Sequence, residues 1–234
     1  MIDIHCHILP GIDDGSSSLE ESLAMADIAV ADGIRTIVAT PHIKGEVHLP
    51  QFLQQQVMKL NEVLIKRNYP LQILVGADVS AILPPEEIAR YTINGSNYFL
   101  LEFPHSHLPH QASQMVFNMC MAGLRPIITH PERNPSIIRE PELLFSLVDS
   151  GCLVQITAGS LTGNFGADSR DCAGYLLRMG QVHFLASDAH SATHRRPVLS
   201  EGVSAASAII GDQAAQKLVT SNPAAVLSGR SLNG

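Results

Sequence analysis

Histidines and carboxylates stand at the ends of six of the seven strand-like segments in this chain. These six segments are Ile2–His7, Ile34–Thr40 followed by Pro41 and His42, Leu71–Asp78, Tyr98–Glu102, Pro126–His130, and Val182–Asp188 followed by Ala189 and His190. Imidazole nitrogen combined with carboxylate oxygen is a ligand set of divalent transition metals. The pattern therefore predicts metal-dependent chemistry.

Helical patterns lie between the strand-like segments, which predicts an α/β barrel. In such a barrel the loops after the strands share one face, so strand-end residues converge although they are far apart in sequence. The seventh segment, Leu153–Thr157, ends without a ligand-type residue. We expect eight ligand-type side chains in one cavity: His5, His7, His42, Asp78, Glu102, His130, Asp188 and His190.

The first segment carries the sharpest signal, the His5-Cys6-His7 triplet. Strand residues two apart point to the same side, so both rings should face inward while Cys6 points out under the helices. A lone strand-end histidine is more often structural, and a lone buried aspartate is often a helix cap. The joint pattern outweighs those alternatives, because so many buried ionisable groups would be costly without a cation.

Two helices are clear from the sequence. The first begins with a capping box at Ser18–Glu21 and stops at Gly33; the second spans Gln51–Arg67. Their predicted buried faces are Leu19, Leu23, Ala26 and Val30, and Phe52, Val57, Leu60 and Leu64. Further helices are predicted over Pro85–Arg90, Gln111–Ala122, Pro141–Ser150, Ser169–Met179, Glu201–Ile210, Ala214–Thr220 and Pro223–Ser228.

Composition bounds the class of protein. With 234 residues and 45% hydrophobic content, the chain suits one barrel domain over residues 1–234, and its net charge of −7 argues against a nucleic-acid partner. There is no apolar run near ~20 residues, so no membrane insertion is expected. A cleaved signal peptide would remove part of the predicted site, so we expect a cytoplasmic protein. The four cysteines have no CxxC spacing and should be small buried hydrophobes.

Several motifs together resemble the PHP (polymerase and histidinol phosphatase) superfamily. They are Asp3-Ile4-His5-Cys6-His7-Ile8-Leu9-Pro10-Gly11-Ile12-Asp13-Asp14-Gly15, Ala39-Thr40-Pro41-His42, Thr129-His130-Pro131-Glu132-Arg133 and Ser187-Asp188-Ala189-His190. Within it, the chain is most similar to the bacterial metal-dependent tyrosine phosphatases of capsular and exopolysaccharide gene clusters. The resemblance covers nearly the whole chain, in motif order and spacing.

The resemblance implies a distorted (β/α)7 TIM-like barrel of the PHP fold with two or three divalent metal ions, manganese first, with iron, cobalt or zinc as alternatives. By position, His5, His7 and Asp188 would hold the first metal, and Asp78 would bridge to a second held by Glu102 and His130. Asp14, His42 and His190 would hold the third. The assignment of Asp14 rests on the family alone, because it lies in the loop after the first strand.

Two positions depart from the family pattern. Asp78 stands where the family usually has a glutamate, which could weaken one site or alter its metal preference. After His190 the family carries an arginine near a proline; Arg195 fits by spacing and Arg196 by its adjacency to Pro197.

The predicted chemistry is hydrolysis of a phosphomonoester by direct attack of a metal-activated water on phosphorus. Arg133 and Arg195 would stabilise charge on the phosphoryl oxygens, although Arg133 has an alternative as a surface ion pair with Glu132 or Glu140. A metal-bound water or His42 could protonate the leaving oxygen. We expect no Cys-x5-Arg phosphate loop, which would exclude a cysteinyl-phosphate mechanism. The histidines His105, His107 and His110 could touch substrate, but a solvated loop is favoured.

The preferred substrate is phosphotyrosine in the tail of a bacterial tyrosine kinase that controls polysaccharide export. A small phosphomonoester, as in histidinol phosphatase, is the runner-up; chain length disfavours it, because those relatives tend to be longer. A metal-dependent amidohydrolase also begins with HxH, but would normally need a strand-end lysine, which no predicted strand has. A decayed, non-catalytic metal-binding protein is the third alternative. Metal identity and oligomeric state are left open.

Overall fold

The computed structural model describes residues 1–44 and 49–232. Nine parallel strands are formed: β1 (Ile2–Cys6), β2 (Thr36–Ala39), β3 (His42–Ile43), β4 (Gln72–Val75), β5 (Asp78–Ser80), β6 (Tyr98–Glu102), β7 (Arg125–Thr129), β8 (Leu153–Thr157) and β9 (Phe184–Ala186). They form two hydrogen-bonded sheets, β1-β2-β4 and β3-β5-β6-β7-β8-β9. The predicted α/β architecture with parallel strands is confirmed.

The nine strands occupy the seven predicted positions, because two positions are each broken into two strands. β2 and β3 are separated at Thr40 and Pro41, and proline has no N–H to donate to a neighbouring strand. β4 and β5 are separated at Gly76, where an added Cβ would lie 2.6 Å from Val38 Cγ1. The pairing continues across both breaks, since Gly76 N donates to Ala39 O at 3.0 Å and Asp78 N donates to Pro41 O at 3.1 Å.

The barrel closes between β9 and β1 mainly at the carboxyl ends of these strands. There Cys6 bridges Ala189, and Asp188 N donates to His5 O at 2.8 Å. At the opposite end, Ile2 N donates instead to Val219 O at 2.8 Å. The C-terminal segment thus fills the gap at the amino end, and this wedge is the distortion of the barrel.

Eleven helices are described around the barrel. They are α1 (Leu19–Ala31), α2 (Pro50–Lys66), α3 (Pro85–Ile88), α4 (Ala112–Met121), α5 (Pro135–Arg139), α6 (Glu142–Asp149), α7 (Ala158–Leu161), α8 (Ala167–Arg178), α9 (Ser200–Ile210), α10 (Asp212–Lys217) and α11 (Ser221–Leu227). Short 3-10 turns cover Ile93–Gly95 and Pro131–Arg133. Each predicted helix is present, and α5 and α7 are additional short helices. None of the described helices is long and apolar enough to cross a membrane.

The predicted faces of α1 and α2 need two corrections. Leu19 begins α1 but is 36% exposed, and Ser22 and Met25 are buried instead. In α2, Leu53 is buried where Phe52 was predicted, and Phe52 is 36% exposed. Both errors fall in the first turn of the helix, where the buried face begins one or more residues later than predicted. The capping box is also partial: Ser18 Oγ accepts from Glu21 N at 3.2 Å, while the Glu21 carboxylate accepts from Ser17 N.

The barrel interior changes character along its axis. An apolar cluster that includes Ile4, Leu100, Ile127 and Phe184 occupies one level. Two residues further along their strands, Glu102 follows Leu100 on the same side, because side chains alternate along a strand. Asp188 stands in the same relation to Phe184 and Ala186. The polar residues of the strand ends therefore lie directly above the apolar interior.

The described cysteines are all free thiols. Cys6, Cys152 and Cys172 are buried, as predicted, whereas Cys120 is only half-buried. Cys6 lies in the large cluster between barrel and helices, on the outward side that its position in the HxH triplet predicts.

Candidate metal centre

The nine residues predicted as ligands converge at the carboxyl ends of the strands. Eight of them form three overlapping groups in which one ligand atom of each residue lies within 4.8 Å of the others. We call these the first-strand group (His5, His7 and Asp188), the middle group (His42, Asp78 and Glu102) and the loop group (His7, Asp14, His42 and His190). His130 adjoins the middle group, with its Nε2 3.6 Å from Glu102 Oε1.

The pairing of β1 with β2 is irregular next to the two histidines of the first-strand group. The pairing of β1 with β2 shifts between Asp3 and Cys6. The buried Asp3 carboxylate accepts from His5 N at 3.2 Å and from Ser187 N at 3.1 Å. Burial raises the pKa of Asp3 to about 6, and its hydrogen bonds to Ser187 oppose that rise. Asp3 therefore fixes β1 against the end of β9, where Asp188 follows.

The rings of the first-strand group are oriented by partners on their far nitrogens. His5 Nδ1 lies 2.9 Å from Gln155 Oε1, and His7 Nδ1 lies 2.6 Å from Asp13 Oδ2. Since both partners are acceptors, each ring donates through Nδ1 and turns its Nε2 towards the cluster. The two Nε2 atoms face each other at 3.2 Å, where a protonated His7 donates to His5. A cation bound by both Nε2 atoms would replace that proton.

The middle group has buried ligand atoms without partners. Asp78 Oδ2 lies 3.6 Å from His5 Nε2 and 3.3 Å from His42 Nδ1, and Glu102 Oε2 lies 3.5 Å from that same His42 atom. Within residues 1–44 and 49–232, His42 Nδ1, Asp78 Oδ2 and Glu102 Oε1 have no hydrogen-bond partner. Unpartnered buried polar atoms are costly. Their convergence fits a bound divalent cation.

The loop after β1 contributes Asp14 to the loop group. Asp14 Oδ1 lies 3.6 Å from His42 Nε2 and 3.7 Å from His190 Nε2, although its side chain is 67% exposed. The loop folds tightly onto β1, since a Cβ on Gly15 would lie 2.3 Å from His7 O. His190 Nδ1 donates to Asp188 O at 3.0 Å, which leaves Nε2 free for a metal.

Two residues of the site have left-handed backbones. His130 has φ 36° and Asp188 has φ 50°. This region is unfavourable for residues with a side chain, and such strain, roughly 1–3 kcal/mol, persists where the surroundings fix it. His130 is out of phase with the interior residue Ile127, so the turn at this strand end is what brings its side chain over the barrel mouth.

The protonation of the rings differs across the cluster: two are neutral, and His7 must release a proton when it binds a metal. Burial lowers the pKa of His190 to about 3 and holds the pKa of His130 well below its ordinary value, so both rings are neutral at neutral pH. Burial and the neighbouring Asp78 raise the pKa of Glu102 to about 7. Burial would lower the pKa of His7, but its hydrogen bonds to Asp13 and Asp188 raise it to about 9. A cation would relieve the crowding of these carboxylates.

Two arginines border the cluster. Arg133 and Arg195 each place an Nη2 atom 2.5 Å from Asp188 Oδ2. The partner of Arg133 is thus Asp188 rather than Glu132, whose Oε1 accepts from Thr157 N at 3.0 Å and Ser160 Oγ at 2.6 Å. Of the two arginines left open by the sequence, Arg195 faces the cluster, while the neighbouring Arg196 is exposed.

Some residues near the site were not predicted from the sequence. Asp13 and Gln155 orient His7 and His5. They were missed because Asp13 stands beside the predicted Asp14, and Gln155 lies in the strand that ends without a ligand-type residue.

His105 Nε2 lies 3.2 Å from Glu102 Oε1, and its ring stacks on His130 at 5.8 Å. His107 and His110 are exposed, as a solvated loop predicts. Lys44 directly follows β3, so one strand does lead into a lysine; it is exposed and belongs to none of the three ligand groups.

A cysteinyl-phosphate mechanism is excluded by the structure and not by the spacing. Cys172 and Arg178 do have a Cys-x5-Arg spacing, so the expectation that this motif is absent is wrong. Both lie within α8, so the intervening residues form a helix and not a phosphate-binding loop. Burial raises the pKa of the Cys172 thiol to about 12, which removes the thiolate nucleophile.

A parallel barrel with histidines, carboxylates and arginines at its strand ends defines a metal-dependent hydrolase of the PHP type. A family model described as capsular polysaccharide synthesis, CpsB/CapC, matches residues 1–228. The chain belongs to this family, which confirms the resemblance stated from its motifs.

Individual relatives agree with this family. The tyrosine-protein phosphatase YwqE of Bacillus subtilis (strain 168) is 41% identical over 201 residues, which cover 83% of this chain and 79% of YwqE. A crystal structure among those of YwqE and of CpsB from Streptococcus pneumoniae, described as unique metal-dependent tyrosine phosphatases, matches with TM-score 0.95 and 36% identity over 100% of this chain and 96% of that one. Histidinol phosphate phosphatase from Lactococcus lactis shares the fold, with TM-score 0.57 and 15% identity over 92% and 93% of the two chains.

Proposed function

We propose that residues 1–234 form one metal-dependent phosphatase domain that hydrolyses phosphotyrosine in a protein. The observation that carries this proposal is the convergence of nine ligand-type side chains with two arginines at one barrel mouth. Its relatives are named as metal-dependent tyrosine phosphatases, which supports phosphotyrosine as the substrate class.

The ligand assignment follows the family resemblance, with His130 in place of His42 beside Asp78 and Glu102, and with His7 assigned only to the first-strand group. His5, His7 and Asp188 would hold one cation, and Asp78, Glu102 and His130 a second. Asp14, His42 and His190 would hold a third. Bound divalent cations supply Lewis acidity and activate a water for direct attack on phosphorus. Mixed nitrogen and oxygen donors without sulfur suit manganese, which we propose as the resident metal, with iron, cobalt or zinc as alternatives.

The protein's own residues would bind and orient the phosphoryl group. Arg133 and Arg195 lie on one side of the cluster, where their guanidinium groups can share the phosphoryl oxygens by charge-assisted hydrogen bonds. A phenolate leaves readily, so the leaving group needs little protonation; His42 could donate that proton only where it does not hold the third cation.

A protein substrate fits the rim of the site. Asp14 is 67% exposed and the His105 side chain is 71% exposed, so the cluster opens to solvent on this side. A phosphotyrosine on an extended segment could therefore reach it. Because the family is one of capsular polysaccharide synthesis, we propose the tail of a bacterial tyrosine kinase that controls polysaccharide export as the substrate. The free thiols fit the reducing cytoplasm in which such a tail lies.

Metal-reconstituted protein assayed in parallel on three substrates tests the proposal. We expect turnover of a phosphotyrosine peptide to exceed that of a phosphoserine peptide and of histidinol phosphate. Preference for histidinol phosphate would replace the proposal with a small-molecule phosphatase. The absence of turnover on all three substrates, with bound metal verified, would contradict it entirely.

A further inference from the structure

Phe165 stands against both arginines of the candidate site. It lies between α7 and α8, downstream of β8, the strand that ends without a ligand-type residue. Its ring centre is 4.5 Å from Arg133 Cζ and 5.7 Å from Arg195 Cζ. Both distances are within the range of a cation–π interaction, about 6 Å. The loop after β8 thus contributes an aromatic ring to the site in place of a metal ligand.

The arginines have few other restraints on their orientation. Each donates to Asp188 through Nη2, but among the described residues neither Nε atom has a hydrogen-bond partner. Asp188 is also a proposed metal ligand, so its lone pairs would be shared with a cation. The ring of Phe165 is then the contact that continues to hold both guanidinium planes.

The ring is itself held by the fold. A Cβ on Gly159 would lie 3.1 Å from Phe165 Cε2, so the absence of a side chain there admits the ring. Asn164 N donates to Gly159 O at 2.8 Å, which closes the loop back onto α7. Glu132 joins the turn that carries Arg133 to Thr157 and Ser160. The ring and Arg133 therefore sit on one connected frame.

We propose that Phe165 is a positioning residue that holds Arg133 and Arg195 in the orientation in which they bind the phosphoryl group. This inference rests on the proposed function. Arginine side chains lose considerable rotamer freedom on binding, and a ring that restrains them beforehand lowers that cost. Its loss should therefore act on phosphate affinity more than on the rate of the bound complex.

The test compares Phe165→Leu, Phe165→Tyr and the control Phe117→Leu, which makes the same exchange on a 49% exposed ring of α4. Phe165→Leu should raise KM for the phosphotyrosine peptide, and the Kd of inorganic phosphate measured by calorimetry, by about 5-fold. Phe165→Tyr keeps the π face and should restore both values. Metal content and Tm should match wild type, as should every parameter of Phe117→Leu.

A double-variant experiment separates a positioning role from direct contact with substrate. In an Arg133→Ala, Arg195→Ala background, adding Phe165→Leu should change phosphate affinity no further. An undiminished 5-fold effect in that background would overturn the proposal, as would wild-type phosphate affinity in Phe165→Leu alone. If Phe165→Leu loses stability, Phe165→Tyr at wild-type Tm decides: reduced phosphate affinity in it would also contradict the proposal. Calorimetry with phosphate needs no turnover, so it tests this inference even if the peptide assays contradict the proposed function.

Discussion

The first-strand group and the middle group are held in opposite ways. In the first-strand group, partners outside the group fix every side chain: Gln155 and Asp13 orient the rings, and two arginines hold Asp188. In the middle group, the described neighbours leave His42 Nδ1, Asp78 Oδ2 and Glu102 Oε1 unpartnered. We conclude that the protein preorganises the first group, whereas the second depends on its cation.

Removal of the metal by a chelator should have the largest effect on activity, and it should change the side chains of the two groups differently. We expect complete loss of phosphatase activity in chelator-treated protein, recovery on adding Mn²⁺, and a lower Tm without metal, because a ligand that binds only the folded state stabilises it. Histidine-resolved NMR of the metal-free protein at neutral pH should show His5 as a single Nδ1–H tautomer, His7 as an imidazolium and His42 in exchange between tautomers. Equal broadening of all three rings would contradict the comparison.

The bridging position should be the most sensitive single residue. Asp78 lies between the two groups, with Oδ2 3.6 Å from His5 Nε2 and 3.3 Å from His42 Nδ1. Asp78→Ala should abolish activity and lower metal content by at least one ion per chain, measured by elemental analysis. Asp78→Glu should retain or improve activity, because a longer carboxylate spans two cations more easily. Full activity in Asp78→Ala would show that another group supplies the bridge.

Substitution of Arg133 tests the role of the arginines that contact Asp188 in the first-strand group. Arg133→Ala should lower kcat/KM by roughly 10²-fold, since a charge-assisted contact made in the transition state is worth about 3 kcal/mol. Metal content should be unchanged, because the guanidinium touches Asp188 and not a cation. Arg196→Ala is the matched control and should behave as wild type. An unchanged rate in Arg133→Ala would reduce its role to an ion pair.

The orienting partners should have a smaller effect that is confined to the first-strand group. Gln155→Leu should weaken metal affinity by about 10-fold, within the range known for such outer partners, while Gln155→Glu retains an acceptor and most of the affinity. Competition with a fluorescent chelator measures both. A wild-type affinity in Gln155→Leu would show that ring orientation does not depend on this hydrogen bond.

The sequence predicted the ligand types and their convergence because strand ends of a barrel meet whatever their spacing. It could not distinguish neighbours in loops. Asp13 and Asp14 are adjacent and chemically identical, and only the folded loop turns Asp13 to His7 and Asp14 to His190. Arg195 and Arg196 differ in the same way. The strand that lacks a terminal ligand was uninformative, since Gln155 lies mid-strand and Phe165 acts from a loop.

The breaks in two strands were also beyond the pattern. The sequence predicted one strand over Ile34–Thr40, followed by Pro41 and His42, and not the two-residue strand β3. Pro41 and Gly76 are residue types that interrupt strands, but the sequence does not show which neighbour approaches them. Tertiary contacts decided both positions.

The smallest expected effect on the site belongs to His183, which lies outside both groups and serves as a control for them. His183 accepts from Val154 N at 3.1 Å through Nδ1, and burial lowers its pKa to about 4. Between pH 6.5 and 4 the unfolded chain therefore binds a proton that the folded chain does not, so stability falls as the pH falls through this window. The loss should reach roughly 2 kcal/mol near pH 4.5.

His183→Asn keeps an acceptor near the Nδ1 position and cannot titrate. The difference in unfolding free energy between wild type and His183→Asn, measured by urea titration at pH 7 and pH 4.5, should shift by that amount in favour of the variant at the lower pH. Because His183 is no part of either ligand group, the shift should be the same in metal-loaded and metal-free protein. A shift seen only with metal bound would mean that His183 is coupled to the metal site. The loss of stability in acid could then no longer be assigned to His183 separately from the ligand groups.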